Sequence, residues 1–199
     1  MPSRTRAANM KGKEAKYNFV LLLSGVSEPD SSLEDALFEA GCDDATLAFR
    51  NGVGYLQFDR RAPGLDVAIL SAVRDVERAD PRLTVVRIEP GDSVSASEIA
   101  RRIQVTREYI RLLVRGERGG GGFPAPESGI TGRMLVWSWA GVVRWMVQHN
   151  LLEDASAVDA AETIRDINDA LEIRDNPAAI DRRLRYLREL QGKRARTRS

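Results

Sequence analysis

The sequence predicts a mixed α+β chain in three folded parts, and three observations carry that expectation. Residues 17 to 92 alternate short apolar runs with helical patterns in the order β-α-β-β-α-β. Residues 93 to 150 hold two short amphipathic segments about a tight turn, then a glycine- and proline-rich stretch. Residues 151 to 191 repeat apolar positions at helical spacing.

The first part opens with Phe19-Val20-Leu21-Leu22-Leu23 inside Tyr17 to Ser24, a run suited to a strand buried on both faces, and Gly25 ends it. Ser31 or Ser32 is then placed to cap a helix carrying Leu33, Ala36, Leu37 and Ala40, with Glu34 and Asp35 in the first turn, where the helix dipole favours carboxylates. Gly41 stops that helix. Thr46 to Arg50 and Val53 to Asp59 flank Asn51-Gly52, the strongest short signal for a hairpin turn. Leu65 to Ala79 reads as a helix with Val67, Ile69, Leu70, Val73 and Val76 apolar, and Leu83 to Ile88 as the last strand. This order is that of the split βαβ, ferredoxin-like arrangement. Such a unit could bind a small effector, pair with its own copies or act as a folded spacer, and no pocket residues single out a ligand.

In the second part, Ser95 to Gly116 reads as helix-turn-helix. Ile99, Ala100 and Ile103 share one face of the first helix, and Ile110, Leu113 and Val114 share one face of the second. Thr106 stands where the second helix needs its N-cap. Arg107, Glu108, Arg111 and Arg115 are left facing outward with the amphipathic Tyr109, a surface shaped and charged for the major groove of DNA. Alone, this pattern would fit any charged amphipathic helix pair. Downstream, Pro124 and Pro126 exclude a helix interior or a central strand and force an extended edge. Arg133 to Trp139 reads as a second strand, and Ala140 to Asn150 as a closing helix with Val142, Val143, Met146 and Val147 apolar. The expected order is helix, turn, helix, β-hairpin wing, helix.

Phe123, Pro124 and Pro126, then Gly132-Arg133, Trp137, Val142 and Trp145 stand in an order and spacing that resembles the AlpA and excisionase branch of the MerR-type winged helix-turn-helix proteins. The resemblance covers the middle quarter of the chain. Two departures stand out: Gln104 occupies the turn position where glycine is usual, and would have to take a left-handed backbone unless the turn is remodelled. Four glycines, Gly119 to Gly122, lengthen the approach to the wing. The resemblance implies sequence-selective binding of double-stranded DNA by a bacterial transcriptional regulator, or an excisionase-like accessory role in recombination; the additional N-terminal unit favours the regulator.

On that reading Arg107 and Arg111 are expected at base edges, because a guanidinium can donate two hydrogen bonds to guanine. Thr106, Tyr109 and Arg115 are expected to hold the helix against phosphates. Arg133 is the wing's candidate for a backbone or minor-groove contact, or for bonding carbonyls within the hairpin. Trp137 and Trp145 read as core. A different class of function, a protein-interaction adaptor or antitoxin-like partner assembled through the N-terminal unit, would use the same helices without DNA.

The third part, Ala155 to Arg174, repeats Val158, Ala161, Ile164, Ile167 or Ala170, and Leu171. Asn176-Pro177 breaks it, and Ala179 to Leu190 resumes with Ile180, Leu184, Leu187 and Leu190. The two helices either fold back on their own domain or pair with a second subunit in a homodimer. Residues 1 to 16 and 192 to 199 read as a flexible basic start and a mobile basic tail.

A formal net charge of +1 conceals segregation along the chain. Residues 17 to 92 carry fourteen acidic and seven basic residues, residues 93 to 149 four and eight, residues 150 to 175 eight and two, and residues 176 to 199 two and eight. Basic charge therefore gathers on the helix-turn-helix and at the ends. The single cysteine, Cys42, and single histidine, His149, leave no disulfide and no Cys/His metal cluster, and no metal or cofactor is expected. Asp43-Asp44 and the carboxylates of Glu89 to Asp92 read as loop and linker. The four glycines lack the Lys and Ser/Thr of a phosphate-binding loop. No enzyme is expected. No apolar run approaches a membrane span and no signal-type core follows the first residues, so a cytoplasmic location is expected.

Overall fold

A computed structural model describes residues 14–28 and 30–196, with residues 192–196 as backbone alone. The chain is mixed α+β and divides into two compact units, Met1–Val85 and Val86–Ser199, with the division inside a strand.

The first unit runs β1 (Ala15–Ser24), α1 (Ser31–Glu39), β2 (Ala45–Arg50), β3 (Val53–Ala62) and α2 (Leu65–Ala79), into β4 (Thr84–Glu89). The strands form one antiparallel sheet in the order β2-β3-β1-β4. Opposed apolar residues set its register: Phe19 faces Phe58 and Leu21 faces Leu56 across β1 and β3, and the two phenyl rings stack with centroids 5.4 Å apart. Between β2 and β3, Asn51 and Gly52 both take positive φ, the turn type that matches strand twist, and Arg50 pairs with Val53.

Local chemistry moves several expected boundaries. Asp30, not Ser31 or Ser32, caps α1: its carboxylate accepts from the Ser32 backbone N–H at 3.0 Å, and both serines are already helical. Gly41 ends the helix, its N–H donating to the Phe38 carbonyl while Cys42 N–H reaches back to Leu37, both at 3.0 Å. The first strand starts at Ala15, so Ala15 and Lys16 of the expected flexible start lie in the sheet opposite Ala62 and Arg61. The rest of that start, residues 1–13, lies outside the described residues. On α2 the buried face is Ala68, Ile69, Ala72, Val73 and Val76; Val67 and Leu70 rotate off it and are exposed.

The third strand continues three residues beyond its expected end, through Arg60-Arg61-Ala62, because Arg60 and Ala62 occupy inward positions of the alternation. Its guanidinium meets Asp44, Asp75, the Ser71 hydroxyl and the Gly41 carbonyl, so that a charge at a core position keeps its hydrogen bonds.

The second unit continues with β5 (Ser93–Ser95), α3 (Ala96–Arg102), α4 (Arg107–Val114), β6 (Val136–Ser138), α5 (Trp139–Gln148), α6 (Ser156–Asp175) and α7 (Ala178–Arg196). Its core gathers Val94, Ile99, Ala100, Ile110, Leu113, Trp137, Val142, Trp145 and Met146. Ile103 and Val114 pack on the rim of this core rather than inside it.

The segment expected as a hairpin wing differs in its pairing. Val136 to Ser138 pairs antiparallel with β5, ahead of α3, and the stretch after the prolines meets it only through one isolated bridge, Ser128 with Val136. Pro124 and Pro126 have no N–H to donate, so pairing begins at Glu127, whose N–H donates to the Val136 carbonyl at 2.8 Å. Trp139 belongs to α5, not to a strand; the Ser138 hydroxyl caps that helix by accepting from Gly141 N–H, and the Asp92 carboxylate accepts from Ala140 N–H at 2.7 Å.

The two C-terminal helices part ways. The sixth helix contacts α5, where Arg144 pairs with Glu162, and its buried residues are Ala161, Ile167 and Leu171. Its amphipathic period resolves on Ile167, with Ala170 exposed. Through Arg196 the chain stays helical in α7, so residues 192–196 of the expected tail are helix; residues 197–199 lie outside the described residues.

Candidate nucleic-acid interface

The turn between α3 and α4 takes the left-handed form at Gln104, φ 57°. Val105 N–H returns to the Ala100 carbonyl at 2.9 Å across it, which closes α3 as a glycine would. Two residues later Thr106 caps α4, its hydroxyl accepting from Tyr109 N–H at 3.1 Å. Ile110 and Leu113 are fully buried, and this fixes which side of α4 faces out.

Arg107, Arg111 and Arg115 project from that outer side, all exposed. They share one open cleft of about 280 Å³ with Arg133, and Ser97, Val114, Met134, Leu135 and Trp137 are among the other residues of its wall. Arg133 is also exposed, and among the described residues no ion pair joins it or Arg107. Arg111 Nη1 meets Glu108 Oε2 at 2.9 Å, and Arg115 Nη1 lies 3.8 Å from Glu117 Oε1. Exposed pairs of this kind hold a side chain weakly and exchange readily for an anion.

Two of the six expected contact residues stand elsewhere. Thr106 spends its hydroxyl on the cap and does not line the cleft. Tyr109 is half-buried against the core, with the Arg118 guanidinium 5.7 Å above its ring, and serves packing. Ser97, Met134 and Leu135 reach the cleft without having been singled out; Ser97 lay within the motif as part of a helix start, and no pattern in residues 130 to 135 marked the other two.

Other arginines near α3 are committed within the unit. Glu98 accepts from Arg101 at 2.6 and 2.9 Å and from Arg102 at 2.9 Å, and these bonds, that to Arg101 foremost, hold its carboxyl down at about 2. Arg102 is nearly buried, lies 4.9 Å over the Trp139 ring and donates to the Gly91 carbonyl at 2.9 Å. The basic charge of this segment thus divides into a structural pair at Glu98, a cleft-lining quartet, and Arg118 and Arg144, which lie over the Tyr109 ring and beside Glu162.

The four-glycine run is laid over Trp145 rather than acting as a loose spacer. All four glycines take positive φ, and Trp145 Nε1 donates to the Gly121 carbonyl at 3.2 Å. A Cβ at Gly119 would fall 2.7 Å from the Trp145 ring. At the far end, Trp137 Nε1 donates to the Pro124 carbonyl at 3.1 Å, and the Phe123 ring meets both indoles edge-on. Both tryptophans are core residues that fix the path of the 119–124 segment.

Of the carboxylates considered elsewhere, Asp43 is exposed on the surface and the other three have structural partners. Asp44 holds Arg60, Glu89 accepts from Gly91 N–H at 2.9 Å, and Asp92 caps α5. His149 stacks on Trp145, and Cys42 is buried, its thiol pushed up to about 11 mainly by desolvation. Among the described residues no group of His, Cys, Asp and Glu could hold a metal ion, and no helix is long and apolar enough to cross a membrane. No family model matches the chain, and no curated protein or solved structure does.

Proposed function

We propose that the chain is a sequence-selective double-stranded DNA-binding protein, a regulator whose second unit works as a winged helix-turn-helix. The observation that carries this reading is the convergence of Arg107, Arg111, Arg115 and Arg133 on one exposed cleft between α4 and the 129–135 loop. An α-helix fits the major groove, and a loop beside it falls on the flanking backbone or minor groove. Arg107 and Arg111 lie nearest the start of α4, the end that such helices present to base edges; Arg115 and Arg133 suit phosphates. The motif of Phe123, Pro124, Pro126, Arg133, Trp137 and Trp145 supports the same reading, since Phe123, Pro124, Trp137 and Trp145 pack and hydrogen-bond together beneath the segment that Arg133 follows. For the first unit we infer a ferredoxin-like domain, supported by its β-α-β-β-α-β order and the sheet order β2-β3-β1-β4.

Selection of bound fragments from a random duplex pool, followed by a salt titration, tests the reading. Groove binding through two to four phosphate contacts gives a slope of roughly −2 to −4 in log K against log salt. A recovered motif supports the assignment; no affinity for any duplex at low salt overturns it in favour of a protein-interaction module.

A further inference from the structure

The seventh helix begins against its own unit: Ala179 is buried, and Arg183 pairs with Glu172 of α6. From Ile180 through Gln191 every residue is exposed, including Ile180, Leu184, Tyr186, Leu187 and Leu190. Ile180, Leu184, Leu187 and Gln191 recur at spacings of four, three and four, one continuous seam. A helix draws most of its stability from packing an apolar face, and among the described residues this one leaves that face exposed from Ile180 to Gln191.

We propose that this seam is the interface with a second copy of the chain, and that the two α7 helices lie antiparallel. Charge chooses the partner's orientation. With Ile180 and Leu187 at d, and Leu184 and Gln191 at a, Arg183 falls at g while Asp181 and Arg188 fall at e. Parallel helices would set Arg183 against Arg188 of the second copy, twice. In the antiparallel arrangement e faces e, so Asp181 lies beside Arg188 of the second copy and Arg188 beside Asp181, related by the twofold axis. Leu184 then stacks on Leu187 of the second copy in the two central layers, Ile180 meets Gln191 in the outer two, and Leu190 falls beside the stem of Arg183. The interface is short, so association depends on concentration. It stands whether or not the protein binds DNA; where it does, the dimer brings two copies of α4 to one duplex.

Sedimentation of the full chain across a hundredfold concentration range tests it, with circular dichroism as a check on folding. A monomer–dimer equilibrium is expected. Leu184→Glu and Leu187→Glu each change only an exposed side chain of the single chain, and each should weaken the dimer at least about tenfold. Asp181→Arg and Arg188→Asp should each weaken it several-fold, and the double variant should recover most of the loss. A chain that stays monomeric, a dimer indifferent to Leu184→Glu, or a charge swap that recovers nothing overturns the proposal. So does a monomer that pellets with phosphatidylglycerol vesicles, which would give the basic helix a membrane surface instead.

Discussion

Glu108 Oε2 lies 2.9 Å from Arg111 Nη1 one turn along α4, so an acidic side chain stands among the arginines of the cleft and holds one of them. The pair is exposed at both ends and adds little stability. Its consequence is electrostatic: Glu108 lowers the positive potential of the cleft and engages one edge of the Arg111 fork. Glu108→Gln should therefore raise affinity for arbitrary duplexes at low salt and narrow the gap between selected and random sequence. Parallel titrations of the two duplexes at one salt concentration measure this; an unchanged ratio contradicts it.

Arg107 and Arg133 should separate by the kind of loss they cause. Arg107→Ala, like Arg111→Ala, is expected to remove about 1–3 kcal/mol of discrimination at one base position. Arg133→Ala should weaken all duplexes alike and reduce the salt slope by about one. Binding to a panel of single-base variants distinguishes the two, and unchanged preference in both α4 variants would remove base reading from this helix.

The path of the 129–135 loop depends on Gly129, φ 85°, where a Cβ would sit 1.9 Å from the Met134 carbonyl oxygen. Gly129→Val should open the 129–135 loop and displace Arg133 from the cleft. Duplex affinity is expected to fall by the amount seen for Arg133→Ala, with tryptophan fluorescence of the core unchanged.

In the first unit Arg60 is 8% exposed, against 28% for Asp44 and 22% for Asp75. Arg60→Met leaves both carboxylates without their cation, at a cost of about 3 kcal/mol, the low end for a broken buried pair because both acids keep some water. All three tryptophans, Trp137, Trp139 and Trp145, belong to the second unit. Urea unfolding followed by fluorescence should thus hold its midpoint while the circular-dichroism transition gains an earlier step.

Acid should act on the second unit through Glu98, whose carboxyl lies at about 2 in the folded chain against an ordinary 4.5. A depressed folded value means stability that is present above pH 4.5 and lost as pH falls toward 2. The difference in thermal stability between wild type and Glu98→Gln should be largest above that window and shrink within it. A difference that is constant with pH would show that the Arg101 and Arg102 contacts add nothing.

Patterns with a short physical range were legible in the sequence. The hairpin at Asn51-Gly52, the 65–79 helix and the Thr106 cap each follow from a few adjacent residues, and each stands where the pattern put it; at Gln104, where a left-handed backbone and a remodelled turn were both open, the backbone is left-handed. The partner of Val136 to Ser138 was not legible, because three residues of strand carry no signal until Val94 and Trp137 are packed in one core. The cap at Asp30 was masked by two serines beside it that are equally good caps by type.

By itself, then, the sequence determined the order of elements in the first unit, the segregation of charge and the outward arginines of α4, all of which depend on residues within a turn or two of each other. Tertiary structure decided which of the arginines remain open. Arg60 and Arg102 are drawn inward by carboxylates and an aromatic face, while Arg133 is carried to Arg107 and Arg111 by the 129–135 loop, which turns at Gly129 and is tied to β6 through the bridge of Ser128 with Val136. Composition counts these side chains alike; only packing gives each a partner or leaves it without one.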